Sequence, residues 1–349
     1  MDAASPDFAA ALLAWYDRAR RDLPWRVASG YPDPYHVLVS EAMLQQTQVA
    51  TVVPYFARFL EAFPTVHALA AADEQRVLRL WQGLGYYSRA RNLRKAAIAV
   101  VETFGGVVPS DVDALLTLPG VGRYTAGAVA SLAYDTIAPI LDGNVVRVVC
   151  RLDAIEDDPR ERTVQLRLWQ RAEAILPPAR VGDFNSALME LGATVCVPKT
   201  PACLICPVRP FCRAFDRQIQ HRIPVAKKTK VTPLEDRWTL CLEDADGRFL
   251  IEQRPPTGRW AGMWQFLTTP TPDPAVSIGV TIDTVIDLGV VRHALTHRRY
   301  AFHVSRAKLV LPFTIPADST RRWATLSDLD ALPFSKPQLA IRRLLVPPP

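Results

Sequence analysis

The sequence has no run of uncharged apolar residues near the length of about eighteen that a membrane-spanning helix needs. Its first 22 residues mix acids with Ala and Leu, and so lack the basic-then-apolar order of a secretory signal peptide. Only six cysteines occur among 349 residues, which argues against a disulfide framework. We therefore expect an intracellular protein in a reducing compartment, with no membrane partner.

The composition is that of a folded, water-soluble chain. Hydrophobic residues make up 49% and charged residues 22%, and the length allows two or three domains, each with its own core. The net charge of +6 is modest but unevenly distributed. Between Cys196 and Lys230, eight basic residues face one acid, Asp216: Lys199, Arg209, Arg213, Arg217, Arg222, Lys227, Lys228 and Lys230. This stretch predicts phosphate contacts, although the three last lysines also suit a solvated linker.

The hydrophobic periodicity changes once along the chain. Up to about residue 220, apolar residues recur every three or four positions, which predicts helices over Phe8–Arg20, Tyr35–Phe63, Glu74–Leu80, Ser88–Phe104 and Val164–Leu176. Later segments alternate instead, which predicts a hairpin of 238–242 with 248–253 and strands over Val276–Leu288, Tyr300–Val304 and Lys308–Phe313. The domain boundary is therefore expected between 221 and 235.

Four cysteines, Cys196, Cys203, Cys206 and Cys212, have the spacing C-x6-C-x2-C-x5-C. So many soft ligands in one loop indicate a metal or cluster site. Zinc held by four thiolates is the generic interpretation, but zinc ribbons usually bring two C-x2-C pairs and only one is present here. A pair of disulfides is the remaining alternative. Spacing alone does not choose between zinc and a cluster.

Two further motifs place polar groups at helix starts. In Leu118–Ala126, Gly120 and Gly122 predict a tight turn leading into a helix, whose first N–H groups could face an anion. No Lys-Ser/Thr pair follows, so it is not a nucleotide-binding P-loop; an ordinary helix-helix turn is the alternative. Farther on, Asp142 precedes an apolar helix, which predicts an N-cap.

Glu41 lies in a strongly apolar helical segment beside Met43 and Leu44. A glutamate there usually reaches solvent or pairs with an arginine. If it faces a closed apolar pocket instead, burial would raise its pKa and allow it to act as a general acid near neutral pH.

These motifs together resemble a known family. The cysteine spacing and the glycine turn are similar to those of the endonuclease III superfamily of DNA glycosylases, which implies a [4Fe-4S] cluster and a helix-hairpin-helix element that grips DNA phosphate. Within that superfamily, Ser-Glu-Ala-Met-Leu-Gln-Gln-Thr-Gln at 40–48, Gly-Leu-Gly-Tyr-Tyr-Ser-Arg at 83–89 and the Asp142 motif resemble MutY, the family of adenine DNA glycosylases.

The resemblance implies roles for single residues. Glu41 would protonate adenine at N7, and Asp142 would stabilise the oxocarbenium-like transition state at C1′. Asn144 would help to place the attacking water, with a second capping side chain as the alternative. Gln46 and Tyr86 would wedge into the base stack while adenine is flipped out, unless Tyr86 is an ordinary buried aromatic residue.

Tyr124 occupies the position at which bifunctional members of the superfamily carry a lysine. That lysine forms a Schiff base with C1′ and then cleaves the strand, which a tyrosine cannot do. The resemblance therefore implies a monofunctional enzyme that leaves an abasic site and has no lyase activity.

The C-terminal part resembles the Nudix-like domain with which the family reads 8-oxoguanine, most clearly over Arg254–Phe266. The acid-rich, metal-binding helix of Nudix hydrolases has no counterpart after Phe266, so we do not expect hydrolase activity of that kind. The family's Phe-Ser-His is replaced by Leu295, Thr296 and His297, which keeps a hydroxyl group but loses an aromatic face.

The expected architecture is multidomain. An all-α helix-hairpin-helix glycosylase core would span residues 1–220, a basic linker 221–234 and an α+β Nudix-like domain 235–349. The expected partner is double-stranded DNA with adenine opposite 8-oxoguanine or guanine, bound by a monomer in the bacterial cytoplasm, at the nucleoid. A bifunctional pyrimidine glycosylase and a non-catalytic DNA-binding or redox-sensing protein are the alternatives.

Overall fold

A computed structural model describes residues 5–28, 30–225, 231–311, 313–316 and 320–346. By its internal contacts the chain divides into two compact units, Met1–Ala71 with Asn92–Lys228 and Ala72–Arg91 with Thr229–Pro349. Among the described residues, no helix is both long and apolar enough to cross a bilayer. The predicted phosphate contacts of Lys227, Lys228 and Lys230 lie outside the described residues.

Helices dominate the chain up to residue 216. They are α1 Pro6–Ala19, α2 Pro34–Leu44, α3 Val49–Ala62, α4 Val66–Ala70, α5 Glu74–Leu80, α6 Ser88–Phe104, α7 Val112–Leu116, α8 Arg123–Tyr134, α9 Gly143–Leu152, α10 Arg162–Ala174, α11 Val181–Thr194 and α12 Arg213–Asp216. Local chemistry sets several starts: Asp33 caps α2 and is followed by Pro34, and the Asp73 carboxylate caps α5.

The apolar pattern predicts a single helix over 35–63, and this prediction is wrong at one point. The chain leaves α2 after Leu44 and turns through Gln45 and Gln46, whose φ angles are −52° and 56°. A 3.1 Å hydrogen bond from the Thr47 N–H to the Leu44 carbonyl closes the turn. A left-handed residue cannot continue a right-handed helix, so the segment becomes two helices.

The core of the first unit forms where α1, α9 and α11 meet. Phe8, Val149, Phe184 and Leu188 are at most 1% exposed and belong to one apolar cluster with Phe211, which follows the cysteine pair of the loop. The cysteine loop is therefore attached to the same core as the helix that begins after Asp142.

The second unit contains a mixed, six-stranded sheet within the described residues. Its strands are β1 Leu234–Glu243, β2 Phe249–Gln253, β3 Trp264–Thr269, β4 Ile286–Ala294, β5 Arg299–Lys308 and β6 Arg321–Ala324. Their order is β4-β5-β1-β3-β2-β6, with β1 and β5 parallel and the other neighbours antiparallel. Leu240 and Leu242 face one apolar cluster and Cys241 the other, as the period of two requires. Two helices accompany the sheet, α13 Pro274–Ile278 and α14 Lys336–Arg343.

The strand predictions are only partly correct. The run 300–304 lies inside β5, and the 238–253 hairpin is present as β1 and β2. The strand predicted over 276–288 is wrong for most of that range. Its first residues belong to α13, which Asp273 caps and which ends at Gly279 (φ 66°), and only its last residues belong to β4. Of the run 308–313, Lys308 is the last residue of β5 and Leu309 forms an isolated bridge with Ile282, but Val310 and Leu311 lie outside the strand. Pro312 lies outside the described residues.

Candidate active site

Glu41 is buried on α2, at 4% exposure. Burial raises its pKa from 4.5 to about 7, and the nearby charge of Asp142 acts in the same direction. A hydrogen bond from Tyr124 and the charge of Arg26 partly oppose the rise. The sequence left open whether Glu41 reaches solvent or faces a closed pocket, and the structure places it in the interior. A carboxyl group with this pKa can hold or release a proton near neutral pH.

Tyr124 lies in the first turn of α8, and its hydroxyl group donates a 2.7 Å hydrogen bond to Oε2 of Glu41. The Tyr124 hydroxyl oxygen also lies 3.3 Å from Sδ of Met189 on α11. Burial and the charges of Glu41 and Asp142 raise the pKa of Tyr124 well above its ordinary value. The phenol therefore stays protonated and orients the Glu41 carboxyl group.

Asp142 caps α9, as the sequence predicts. Its Oδ1 accepts a 2.7 Å hydrogen bond from the Val145 N–H, and its Oδ2 accepts one of 2.8 Å from the Asn144 amide. Burial raises the pKa of Asp142, while these hydrogen bonds and the charge of Arg147 act to lower it. The cap fixes the carboxylate at the start of the helix, with its oxygens on defined donors.

A cavity of about 720 Å³ in the first unit joins these groups. Glu41, Gln46, Tyr124, Asp142 and Asn144 all line it. They come from three helices and one turn, separated along the chain by up to a hundred residues, so the fold alone assembles them. The volume falls in the range of small-ligand pockets, and the lining offers an acid, a carboxylate and amides.

Two arginines of α9 hold the cysteine loop. Arg147 donates to the carbonyl of Cys196 at 2.7 Å and to Oδ1 of Asn144 at 2.8 Å. Arg151, 2% exposed, donates to the carbonyls of Cys196, Val197 and Pro198. Hydrogen bonds therefore connect the loop, through Arg147 and Asn144, to the Asp142 carboxylate.

All six cysteines are described and are free thiols. Burial, together with charge on Cys196, Cys212 and Cys203, raises the pKa of Cys206 to about 12. The four loop thiols thus lie within electrostatic range of one another. Over the described residues, no group of three or more His, Cys, Asp or Glu side chains is arranged to hold a metal ion.

Both candidate wedge residues have left-handed backbones. Gln46 (φ 56°) is exposed and lines the cavity, and Tyr86 (φ 46°) is 45% exposed. Tyr86 is therefore not an ordinary buried aromatic residue. Left-handed non-glycine residues are strained and are enriched at functional sites.

The glycine turn before α8 is present. Gly120 has φ 78°, and a Cβ there would lie 2.5 Å from Cβ of Asn92, so glycine is required on two grounds. Gly122 is the N-cap of α8. The contact of this turn with DNA phosphate remains a prediction.

The segment Leu295–His297 forms the tight connection between β4 and β5, closed by a 2.8 Å hydrogen bond from Leu295 N–H to the Arg298 carbonyl. Leu295 packs against the apolar cluster on one face of the sheet. Thr296 and His297 are exposed, and Oγ1 of Thr296 lies 2.8 Å from the Tyr86 hydroxyl group.

Comparison with known proteins identifies the family to which this chain belongs. Residues 39–174 match the HhH-GPD superfamily of base excision DNA repair proteins, and residues 238–344 match the NUDIX domain. An adenine DNA glycosylase of Mycolicibacterium smegmatis is 48% identical, over 71% of this chain and 97% of its own length. The adenine DNA glycosylase of Rattus norvegicus is 38% identical, over 90% of this chain and 73% of its own. The chain belongs to the adenine DNA glycosylase family.

Solved structures agree with this family assignment for the helical part. A thermostable thymine-DNA glycosylase covers 60% of the chain at 30% identity, with a TM-score of 0.53. A trapped endonuclease III-DNA covalent intermediate covers 60% at 25% identity, with a TM-score of 0.51. The multidomain prediction, a helix-hairpin-helix core followed by a Nudix-like domain, is confirmed. The chain spans 60% of the length of the Mus musculus adenine DNA glycosylase, which it matches at 41% identity.

In this member of the adenine DNA glycosylase family, the sequence did not reveal a charged cluster in the cavity wall. The Glu190 side chain is fully buried and accepts hydrogen bonds from Nε of Arg21 at 2.6 Å and Nη2 of Arg26 at 2.9 Å. Glu190 and both arginines line the cavity. The only signal was a glutamate in an otherwise apolar stretch of α11; its partners lie 164 and 169 residues away.

We expect Glu190→Gln to lower the free energy of unfolding by roughly 2–3 kcal/mol, because two guanidinium groups would face a neutral amide. Burial acts to raise the pKa of Glu190, but the hydrogen bonds and charges of Arg21 and Arg26 outweigh it and lower the pKa. Ionised Glu190 therefore contributes to the free energy of unfolding above its unfolded-state pKa of about 4.3. This contribution is lost as pH falls through the lower folded-state pKa. Urea denaturation of the wild type and of Glu190→Gln at pH 7 and near pH 3 measures this effect. If the two proteins differ in free energy of unfolding by the same amount at both pH values, the account is contradicted.

Proposed function

We propose that the protein hydrolyses the N-glycosidic bond of adenine in DNA when adenine is opposite 8-oxoguanine or guanine, and leaves an abasic site. The observation that carries this proposal is the pair of carboxyl groups, Glu41 and Asp142, in one cavity but in different environments. One has a pKa near neutrality, and the other is fixed by N–H donors. Acid and stabilising anion are the two groups that glycosidic cleavage requires.

Proton transfer comes first in the proposed reaction. Glu41, whose pKa is raised to about 7, can be protonated near neutral pH and donates its proton to N7 of the flipped adenine. The base then departs as a neutral molecule and not as an anion. Tyr124 keeps the carboxyl group in place through its 2.7 Å hydrogen bond.

Charge stabilisation follows as the bond to C1′ breaks. The Asp142 carboxylate offsets the positive charge that develops on the sugar. Asn144, hydrogen-bonded to Asp142 at 2.8 Å, orients the water that adds to C1′. That water gives its proton to the Glu41 carboxylate, which became ionised when it protonated adenine, and the sugar is left with a hydroxyl group at C1′.

The enzyme leaves the strand intact, by this proposal. Strand cleavage through a Schiff base needs an amine at C1′, and the group beside Glu41 is the phenol of Tyr124. We expect strand breaks only after the abasic product is treated with alkali.

Four parallel duplexes test the function in single-turnover reactions. They carry adenine opposite 8-oxoguanine, guanine or thymine, or an oxidised pyrimidine, and each is analysed with and without alkali. The proposal requires adenine loss opposite 8-oxoguanine and guanine, with breaks only after alkali. Activity on the oxidised pyrimidine alone, or breaks without alkali, would exclude it.

We propose further that Cys196, Cys203, Cys206 and Cys212 hold a [4Fe-4S] cluster. The four thiols are partly buried in one loop, and burial raises the pKa of Cys203, Cys206 and Cys212. A metal centre that replaced the thiol protons would offset this cost of ionisation. When bound, the cluster supplies a rigid cross-link of the loop and a redox-active centre. Iron and acid-labile sulfide in the purified protein support the cluster, whereas stoichiometric zinc would contradict it.

A further inference from the structure

The segment Ala72–Arg91, here called the arm, groups with the C-terminal chain and not with the helices that flank it in sequence. Gln75 on α5 makes the most specific contact. Its amide oxygen accepts a 3.2 Å hydrogen bond from the Trp264 indole, and its amide nitrogen donates at 3.1 Å to the Gly262 carbonyl. Because both ends of one amide are used, Gln75 fixes the register of the arm on the sheet.

A second contact joins the other end of the arm to the same turn, at Ala261 and Gly262. Nη1 of Arg91 donates to the carbonyl of Ala261 at 2.7 Å, one residue from the acceptor of Gln75. Ala261 is fully buried, and Gly262 has φ 70°. A Cβ at Gly262 would lie 3.6 Å from the Glu74 carboxylate. The turn therefore lies in close contact with the arm at Glu74 as well as at Gln75 and Arg91.

Between these two contacts the arm carries Tyr86. Arg89 donates to the Gly85 carbonyl at 3.2 Å, and its guanidinium lies 5.5 Å from the centre of the Tyr86 ring. The Tyr86 hydroxyl group lies 2.8 Å from Oγ1 of Thr296, in the connection between β4 and β5. A candidate wedge residue is therefore hydrogen-bonded to a residue of the segment assigned to reading the opposite base.

We propose that Gln75 and Arg91 are positioning residues for opposite-base specificity. By anchoring both ends of the arm to the turn at 260–263, they hold Tyr86 against Thr296, so the wedge and the reading segment move as one piece. Adenine excision then accelerates only when the opposite base suits both. This inference rests on the proposed function and deepens it.

The test uses the full-length protein and two substitutions. Gln75→Met keeps the side-chain volume and removes both hydrogen bonds, and Arg91→Ala removes the donor to Ala261. Lys95→Ala is the control, because it removes an exposed positive charge from the same helix, α6. Single-turnover excision rates are measured for adenine opposite 8-oxoguanine and opposite guanine, together with the melting temperature of each variant.

The expected readout is the ratio of the two rates. Loss of one or two hydrogen bonds should lower the preference for 8-oxoguanine over guanine by roughly tenfold. The rate opposite guanine should change by less than about threefold, and Lys95→Ala should leave both rates unchanged. Arg91→Lys, which can still donate to the carbonyl, should recover part of the preference.

A double-mutant cycle tests the route of the effect. Thr296→Val removes the partner of Tyr86, so Arg91→Ala should add little to the loss of preference in a Thr296→Val background. Additive losses, or an unchanged rate ratio in Gln75→Met and Arg91→Ala, would overturn the inference. So would equal falls in both rates that follow the melting temperature.

The wild-type protein separates this inference from the function on which it rests. Failure to excise adenine from either duplex defeats the proposed function and the inference with it. Excision without preference for 8-oxoguanine would leave the excision activity standing. It would exclude recognition of the opposite base and would therefore overturn the inference. Preference that survives in both variants defeats the inference alone.

Discussion

Glu41→Gln should reduce the single-turnover rate of adenine excision by about 10² to 10⁴ at pH 7, the usual loss on removing a general acid. Glutamine fills the same space at the buried position on α2 and can accept the hydrogen bond from Tyr124, but it has no proton to transfer to adenine N7. The rate is measured with enzyme in excess over a duplex that carries adenine opposite 8-oxoguanine.

Stability measurements should show that this loss is not unfolding. The folded-state pKa of Glu41 is about 7, above the unfolded value of about 4.3, so folding takes up a proton between these pH values. Ionised Glu41 therefore costs stability increasingly as pH rises from about 4.3 to about 7. Glu41→Gln should melt no lower than the wild type at pH 8. Glu61→Gln, exposed on α3, is the matched control and should keep full activity.

Asp142→Asn should lower the same rate by about 10² to 10³ or more, because it removes the negative charge that stabilises the developing oxocarbenium ion. Asparagine is as good an N-cap as aspartate, so α9 should remain capped. Duplex binding, measured by fluorescence anisotropy, should change far less than the rate. A rate within about threefold of the wild type would remove Asp142 from the chemistry.

Asp111→Asn provides the matched control for this substitution. Asp111 caps α7 through the Ala114 N–H, as Asp142 caps α9 through the Val145 N–H, but it does not line the cavity. Its substitution should leave the excision rate unchanged. An equal loss in both variants would mean that capping and not charge accounts for the effect.

The sequence predicted the parts of the site that depend on local pattern. Asp142 before an apolar helix indicates an N-cap, and the cap is present. The glycine turn at 120–122 and the exact bounds of α5 and α6 follow equally from turn chemistry and period. The pairing of Tyr124 with Glu41 is different, since the sequence placed both residues in the site without indicating that one would orient the other.

What the sequence could not supply depends on contacts between distant segments. Glu190 is an unusual residue in an apolar helix, but its partner Arg21 lies 169 residues away. The arm carries an ordinary helical pattern, and nothing in that pattern indicates that it groups with a sheet formed after residue 230. The break after Leu44 was missed because apolar spacing continues across the turn, while a left-handed backbone at Gln46 ends the helix.

The pH dependence of the excision rate, for the wild type and for Glu41→Gln, tests the central claim most directly. If buried Glu41 is the proton donor, the wild-type rate should fall as pH rises through about 7, as the acid ionises. A separate fall on the acid side is expected where the Asp142 carboxylate, whose pKa burial also raises, becomes protonated. The slower Glu41→Gln variant should lack the fall through about pH 7. A decline of the same shape there in both proteins, or a wild-type rate that is flat from pH 6 to about pH 9, would contradict the account.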